Sequence, residues 1–172
     1  MALLRPDLVA SSGIILTAPM VTLEKLARKG CNPYIRPLAS LISSLAPTLP
    51  IATVERNTAF PEKQLEMDAD ELNYSGPGKL TRARVAAEYL AFSSSLMKND
   101  NKLVRELACP FITFHSRNDT FTDHEGSEML IEFATSDDKT LVYCDKMWHA
   151  LMQEDGKEDI VAQIIEWLDK RV

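Results

Sequence analysis

The chain has 172 residues, enough for one domain with a sizeable core and short for two. Hydrophobic residues at 45% and charged residues at 26% exclude wholesale disorder and a fibrous repeat, and no apolar run approaches the roughly 18 residues of a membrane span. A net charge of −6 argues against a nucleic-acid partner, which is usually met by a basic face.

The charge is unevenly spread: residues 1–60 carry +3 and residues 61–172 carry −9. The basic stretch from Lys25 to Arg56 fits either contact with an anionic surface or a solvated segment. Arg5, Pro6 and Asp7 interrupt the N-terminus before an apolar leader core can form. Three cysteines, an odd count without a leader, fit a reducing compartment, so a cytoplasmic location is expected. No C-x-x-C spacing suggests structural zinc. Cys109 and Cys144 read as small buried hydrophobes before they read as nucleophiles.

In chain order, the first element is the run Gly13-Ile14-Ile15-Leu16-Thr17-Ala18, closed by Pro19. Lacking polar alternation, it reads as a strand covered on both faces, as in a parallel sheet. Residues 20–100 differ in character. Prolines at 33, 37, 47, 50, 61 and 77, the turn chemistry of Tyr74-Ser75-Gly76-Pro77-Gly78 and short amphipathic pieces such as Val85 to Leu96 read as a mostly helical insertion lying over the sheet. Within it, Leu38, Leu41, Ile42, Leu45, Leu49 and Ile51 fit an apolar lid for an acyl chain or a membrane surface, and equally fit ordinary packing.

Pro110 to His115 has the β-branched and aromatic content of a second buried strand. A helix follows from about Glu125 to Ala134, with Met129, Leu130 and Phe133 on its core face. Thr122-Asp123-His124-Glu125 fits a capping box at its start, with Asp123 as the alternative cap. Thr140 to Cys144 reads as a third strand. The last helix spans about Lys157 to Arg171, with an expected apolar stripe of Ile160, Val161, Ile164, Ile165 and Leu168. Residues 110–171 thus alternate strand, helix, strand, helix, which predicts right-handed crossovers and an open parallel sheet. In such sheets function sits beyond the strand C-termini. Here that means the loops Ser116 to Asp123 and Asp145 to Gly156.

There are three histidines. His115 closes a strand and reads as structural, His124 opens a helix and reads as exposed, and His149 taken alone also reads as structural. Position alters the reading of His149. It lies in the loop after the last strand, 30 positions beyond Asp119 in the loop after the preceding strand. Adjacent parallel strands bring both loops to one edge of the sheet, where a carboxylate can accept the imidazole Nδ1–H and stabilise the imidazolium. That is the Asp-then-His order of a hydrolase whose nucleophile comes earlier. A metal site from His115, Asp119, Asp123 and His124 has loosely suitable ligand types. The capping role explains Asp123 more simply.

Pro6-Asp7-Leu8-Val9 followed by Gly13 to Pro19 resembles the strand after the nucleophile elbow in the monoacylglycerol lipases of the α/β-hydrolase superfamily. Asp70-Glu71-Leu72-Asn73-Tyr74 resembles their cap motif D-P-L-x-Y, with Glu71 in place of proline. His115-Ser116-Arg117-Asn118-Asp119 resembles H-G-x-x-D, with Ser116 in place of glycine. Thr122 to Ser127 resembles T-D-P-E-G-S, with His124 in place of proline, and Asp137 to Leu141 and then His149 complete the series. The resemblance runs over nearly the whole chain. It implies a partial α/β-hydrolase domain over residues 1–172, with residues 20–100 as a cap insertion. It also implies hydrolysis of monoacylglycerols or similar small lipid esters, with Asp119 and His149 as catalytic acid and base. A small lipid ester or acyl chain is the implied ligand, peripheral membrane contact through the cap is open, and no cofactor or metal is expected.

The family's G-x-S-x-G nucleophile motif does not occur in the 172 residues. Tyr74-Ser75-Gly76-Pro77-Gly78 lacks the first glycine, and Ser11 and Ser12 precede a strand where an elbow follows one. The oxyanion-hole loop is missing too. The expectation is therefore the C-terminal half of a hydrolase, inactive alone, with an open edge on the Gly13–Ala18 strand that invites a partner or oligomer. The alternative is a non-catalytic pseudohydrolase that binds a lipid or a protein partner.

Overall fold

The computed structural model describes residues 13–25, 32–53, 56–72, 80–96 and 101–171. The expectations placed on Pro6 to Val9, Ser11, Ser12, Cys31 and Asn73 to Gly78 lie outside these described residues. The chain divides into two compact units. One holds the described residues up to Thr22 and those from Ser94 onward, and the other is Leu23–Ser93.

The first unit is built on a parallel sheet of β1 (Ile14–Thr17), β4 (Phe111–His115) and β5 (Lys139–Tyr143), in the order β1-β4-β5. The register pairs Ile14 with Phe111 and Phe111 with Lys139, and it ends with His115 opposite Tyr143. All five residues of β4 are buried. Side chains alternate across a strand, so Ile112 and Phe114 enter one apolar cluster with Ala18, Met147, Leu151, Ile160 and Trp167. Phe111 enters a second cluster with Val21, Val104, Leu107, Met129 and Leu130.

Strand β1 departs from the expectation of two covered faces. Ile14 and Leu16 pack against the second cluster, whereas Ile15 and Thr17 are exposed. β1 is an edge strand of the described sheet and only its Ile14/Leu16 face has a packed layer. An apolar run therefore does not by itself report two-sided burial.

Helix α5 (Glu125–Phe133) buries Met129 and Leu130 as its sequence predicts. Its N-terminus differs from the expected capping box. His124 occupies the cap position in helical conformation without a side-chain capping hydrogen bond, and the Thr122 hydroxyl donates to Asp119. Helix α6 (Lys157–Asp169) is rotated relative to its expected stripe. Ile160 and Trp167 are buried and Ile164 is half-buried, while Val161, Ile165 and Leu168 are exposed. The spacing i, i+4, i+7 fits one helical face. The bulk of Trp167 takes the inward seat that the sequence reading assigned to Leu168. A short helix α4 (Lys102–Arg105) precedes β4 and contributes the buried Val104.

The second unit contains α1 (Asn32–Leu45), β2 (Pro50–Thr53), α2 (Pro61–Ala69), β3 (Leu80–Arg82) and most of α3 (Ala83–Leu96). It is largely helical, but β2 and β3 form an antiparallel pair that the sequence does not advertise. Pro50 is tolerated because it opens the strand, where a missing N–H costs least. Arg82 donates to the Thr48 carbonyl at 2.9 Å and Ala83 N to the Leu49 carbonyl at 2.8 Å, closing this pair. Leu38, Leu41, Leu45 and Leu49 are exposed, and Ile42 and Ile51 are half-buried. No helix of the described residues is long and apolar enough to cross a membrane.

Candidate active site

Because β4 and β5 are parallel neighbours, their C-terminal ends open onto the same edge. Cys144 N donates to the His115 carbonyl at 2.9 Å, extending the pairing by one step. The two following loops are then tied directly. Ser116 Oγ donates to the Met147 carbonyl at 2.6 Å, Arg117 N to Asp145 Oδ1 at 3.1 Å and Asn118 Nδ2 to the Asp145 carbonyl at 2.5 Å.

Asp119 sits in this seam with its side chain wholly buried. One oxygen, Oδ1, accepts the backbone N–H of Phe121 at 2.7 Å and of Thr122 at 3.0 Å, which fixes the carboxylate plane. The other, Oδ2, accepts the Thr122 hydroxyl at 2.8 Å and lies 2.8 Å from His149 Nδ1. His115 Nε2 lies 3.3 Å from the same oxygen. Burial raises the carboxyl pKa, but donation from His115, His149 and the Thr122 N–H, with the charge of His149, outweighs it. Asp119 is therefore held well below the usual carboxylate range.

His149 is only partly covered, so one edge of its ring reaches solvent. Its ring lies 4.6 Å from that of Phe121, tilted by 30°, and 5.7 Å edge-on from that of Trp148. Trp148 is anchored through Nε1 to Thr120 Oγ1 at 3.0 Å. With Nδ1 held by Asp119, Nε2 is the nitrogen left for proton transfer. The structure thus brings Asp119 and His149 together from loops 30 positions apart.

The other histidines divide. His115 is fully buried and hydrogen-bonded as expected, with Nδ1 2.7 Å from Ser127 Oγ. It also backs Asp119, a contact the sequence reading missed. His124 is not exposed as expected: its side chain is mostly covered, with ring nitrogens 3.6 Å from Glu125 and 3.8 Å from Glu128. Among the described residues no group of three or more His, Cys, Asp or Glu side chains is placed to hold a metal ion. Thr122 and Glu154 were also missed. The first was read as a helix cap, and the second is a loop acid that sequence alone places in solvent. Cys109 and Cys144 are half-buried.

A family model described as serine aminopeptidase, S33 (Hydrolase_4), matches residues 1–156. The chain belongs to this family. Among relatives of this S33 member, a monoacylglycerol lipase of Mycolicibacterium smegmatis is 22% identical over 159 residues, covering 91% of this chain and 53% of that protein. A caffeoylshikimate esterase of Arabidopsis thaliana is 29% identical over 115 residues, covering 65% of this chain and 32% of that protein. The crystal structure of Paleococcus ferrophilus monoacylglycerol lipase superposes with a TM-score of 0.77 at 19% identity, over 99% of this chain and 63% of that one. A soluble variant of Saccharomyces cerevisiae monoglyceride lipase, solved with a substrate analogue, gives 0.71 at 22% identity, over 94% and 56%. The fold is accordingly a partial α/β-hydrolase fold, similar to that of monoacylglycerol lipases. The S33 chain spans about half the length of the first of these relatives.

Proposed function

We propose that this chain supplies the acid and the base of a serine ester hydrolase acting on monoacylglycerols or similar small lipid esters. The carrying observation is the 2.8 Å contact between a buried carboxylate, Asp119, and the Nδ1 of a solvent-edged imidazole, His149. In this reading His149 Nε2 takes the proton of a serine hydroxyl as it adds to the ester carbonyl. It then returns the proton to the leaving alcohol and repeats the cycle with water to release the acid. Asp119 stays ionised, holds the ring's tautomer and stabilises the imidazolium. The 172 residues contain no G-x-S-x-G, so the serine and the oxyanion hole are assigned to sequence beyond them. The names of the relatives support a lipid ester as substrate. The exposed Leu38, Leu41 and Leu45 on one face of α1 support an acyl-chain or membrane-facing role for the cap.

The absence of the nucleophile motif also favours a second reading, a non-catalytic binder of the same ligands. One experiment separates the two. The native polypeptide is isolated from its cells, its mass is measured, and it is treated with a fluorophosphonate and with monooleoylglycerol. The hydrolase reading expects a mass above that of 172 residues, a labelled serine and turnover, with His149→Ala lowering turnover by about 10⁶-fold. Binding of acylglycerol with neither label nor turnover overturns it in favour of the binder.

A further inference from the structure

Three consecutive backbone N–H groups of the loop after β5 converge on one buried carboxylate. Trp148 N donates to Glu154 Oε2 at 2.5 Å, and His149 N and Ala150 N donate to Oε1 at 3.1 and 2.8 Å. Glu154 is 3% exposed. A carboxylate is not normally left in such a place, and here backbone donors meet it. The loop from Asp145 to Gly156 has no helix or strand to satisfy its own N–H groups. Turn carbonyls meet the N–H groups of Met147, Leu151 and Gln153, and those of Trp148, His149 and Ala150 need the side-chain acceptor.

We propose that Glu154 is the positioning residue of His149, fixing the backbone from which the imidazole reaches Asp119. The proposal rests on the reading of His149 as the general base. The loop is held on both sides of the ring by different means. Upstream, the Met147 carbonyl accepts the Ser116 hydroxyl. Downstream, Leu151 N donates to the His149 carbonyl at 2.9 Å, Gln153 N donates to the Ala150 carbonyl at 2.7 Å, and Leu151 is buried in the first apolar cluster. Between these anchors, the N–H groups of Trp148, His149 and Ala150 all end on Glu154. The imidazole touches Phe121 and Trp148 by ring contact and Asp119 by one hydrogen bond, none of which fixes its Cα. A displacement of about 1 Å at a catalytic group costs on the order of 100-fold in rate, so the carboxylate acts on chemistry without touching a substrate.

The chemistry of substitution gives a graded series. Glu154→Gln keeps one oxygen for His149 N and Ala150 N but turns an amide NH2 toward the Trp148 N–H, donor against donor. Glu154→Asp withdraws the carboxylate by one methylene, and Glu154→Ala removes all three acceptor contacts.

The test follows the His149 Nδ1–H proton by NMR in the 172-residue chain at low temperature, assigned by its loss in His149→Ala and in Asp119→Asn. The expected result is exchange with solvent at least tenfold faster in Glu154→Gln and loss of the signal in Glu154→Asp and Glu154→Ala. Val104→Ala, a truncation in the second apolar cluster, controls for stability alone. At matched Tm it is expected to leave the exchange rate unchanged. A folded Glu154→Gln chain exchanging at the wild-type rate, or no faster than Val104→Ala at equal Tm, overturns the positioning role and leaves the acid–base pair standing. A wild-type chain with no Nδ1–H signal sensitive to Asp119→Asn removes the pair itself, and this inference with it.

Discussion

Ser116 joins the loop of Asp119 to the loop of His149: its hydroxyl donates to the Met147 carbonyl at 2.6 Å and accepts the Asn118 N–H at 3.0 Å. The side chain is fully buried, so neither partner has water as an immediate substitute. The resemblance to H-G-x-x-D places a glycine at this position, and here a hydroxyl fills it and makes the link. Ser116→Ala is expected to lower stability by about 1–3 kcal/mol, the cost of leaving a buried polar group unmet. Urea unfolding with an unchanged m-value checks it. A shift in midpoint below the resolution of the measurement shows that the two loops hold their register without this bond.

Asp119 gives the chain a defined response to acid. Its folded-state pKa lies below the ordinary carboxylate value, because the donors and charge around it outweigh burial. Its contribution to stability is therefore complete above the unfolded-state value of about 4 and is lost as pH falls from there toward the folded-state value. Denaturation midpoints measured from about pH 6 down to pH 3 should fall more steeply for the wild type than for Asp119→Asn. The variant should start less stable at neutral pH, because its amide nitrogen faces donors on one side. Parallel pH profiles for the two proteins place the acid sensitivity elsewhere.

Much of this architecture is written in local residue pattern, and the exceptions have physical causes. β4 was legible because Phe-Ile-Thr-Phe-His is buried on both faces. β1 carries a similar run, but it lies at the edge of the described sheet, and a pattern of side chains does not state strand order. In α6 two adjacent apolar lines run side by side, 160/164/167 and 161/165/168. The seat of the Trp167 ring near Gly13 decides between them. The pairing of Asp119 with His149 was legible because one strand-helix crossover sets the distance between parallel neighbours. Glu154 was not, because its burial follows from the irregular backbone around it, which periodicity cannot describe.

Gly13 closes the entrance to β1 with φ at +77°, a conformation L side chains rarely adopt. A Cβ there would come within 2.6 Å of both the Pro110 carbonyl oxygen and the edge of the Trp167 ring. The carbonyl accepts Ile14 N at 2.9 Å and cannot move without loosening the first rung between β1 and β4. Gly13→Ala is expected to cost about 1–3 kcal/mol from overpacking, with the backbone strain in addition. Thermal unfolding measures it. The companion Trp167→Ala, which removes the ring, should relieve part of that cost, so the double variant should be less destabilised than the sum of the two. Strict additivity shows that the ring and the glycine do not share the constraint.

Cys144, one residue beyond β5, is half-buried against the first apolar cluster and follows the strand into the loop of His149. Burial, with a smaller push from the neighbouring Asp145 carboxylate, raises its thiol from the ordinary 9.0 to about 11. The thiolate is the reactive form, so at about pH 8 this rise leaves about one molecule in a thousand ionised where an unperturbed thiol has about one in ten. Alkylation by iodoacetamide, followed by peptide mass spectrometry, should therefore be about 100-fold slower at Cys144 in the folded chain than in urea. The folded-state rate should keep rising with pH past the point where the unfolded thiol has levelled off. Labelling of the native chain as fast as the denatured one shows that the loop carrying His149 opens readily enough to wet this sulfur. In that case the hold ascribed to Ser116 and Glu154 is too weak to keep the imidazole in place.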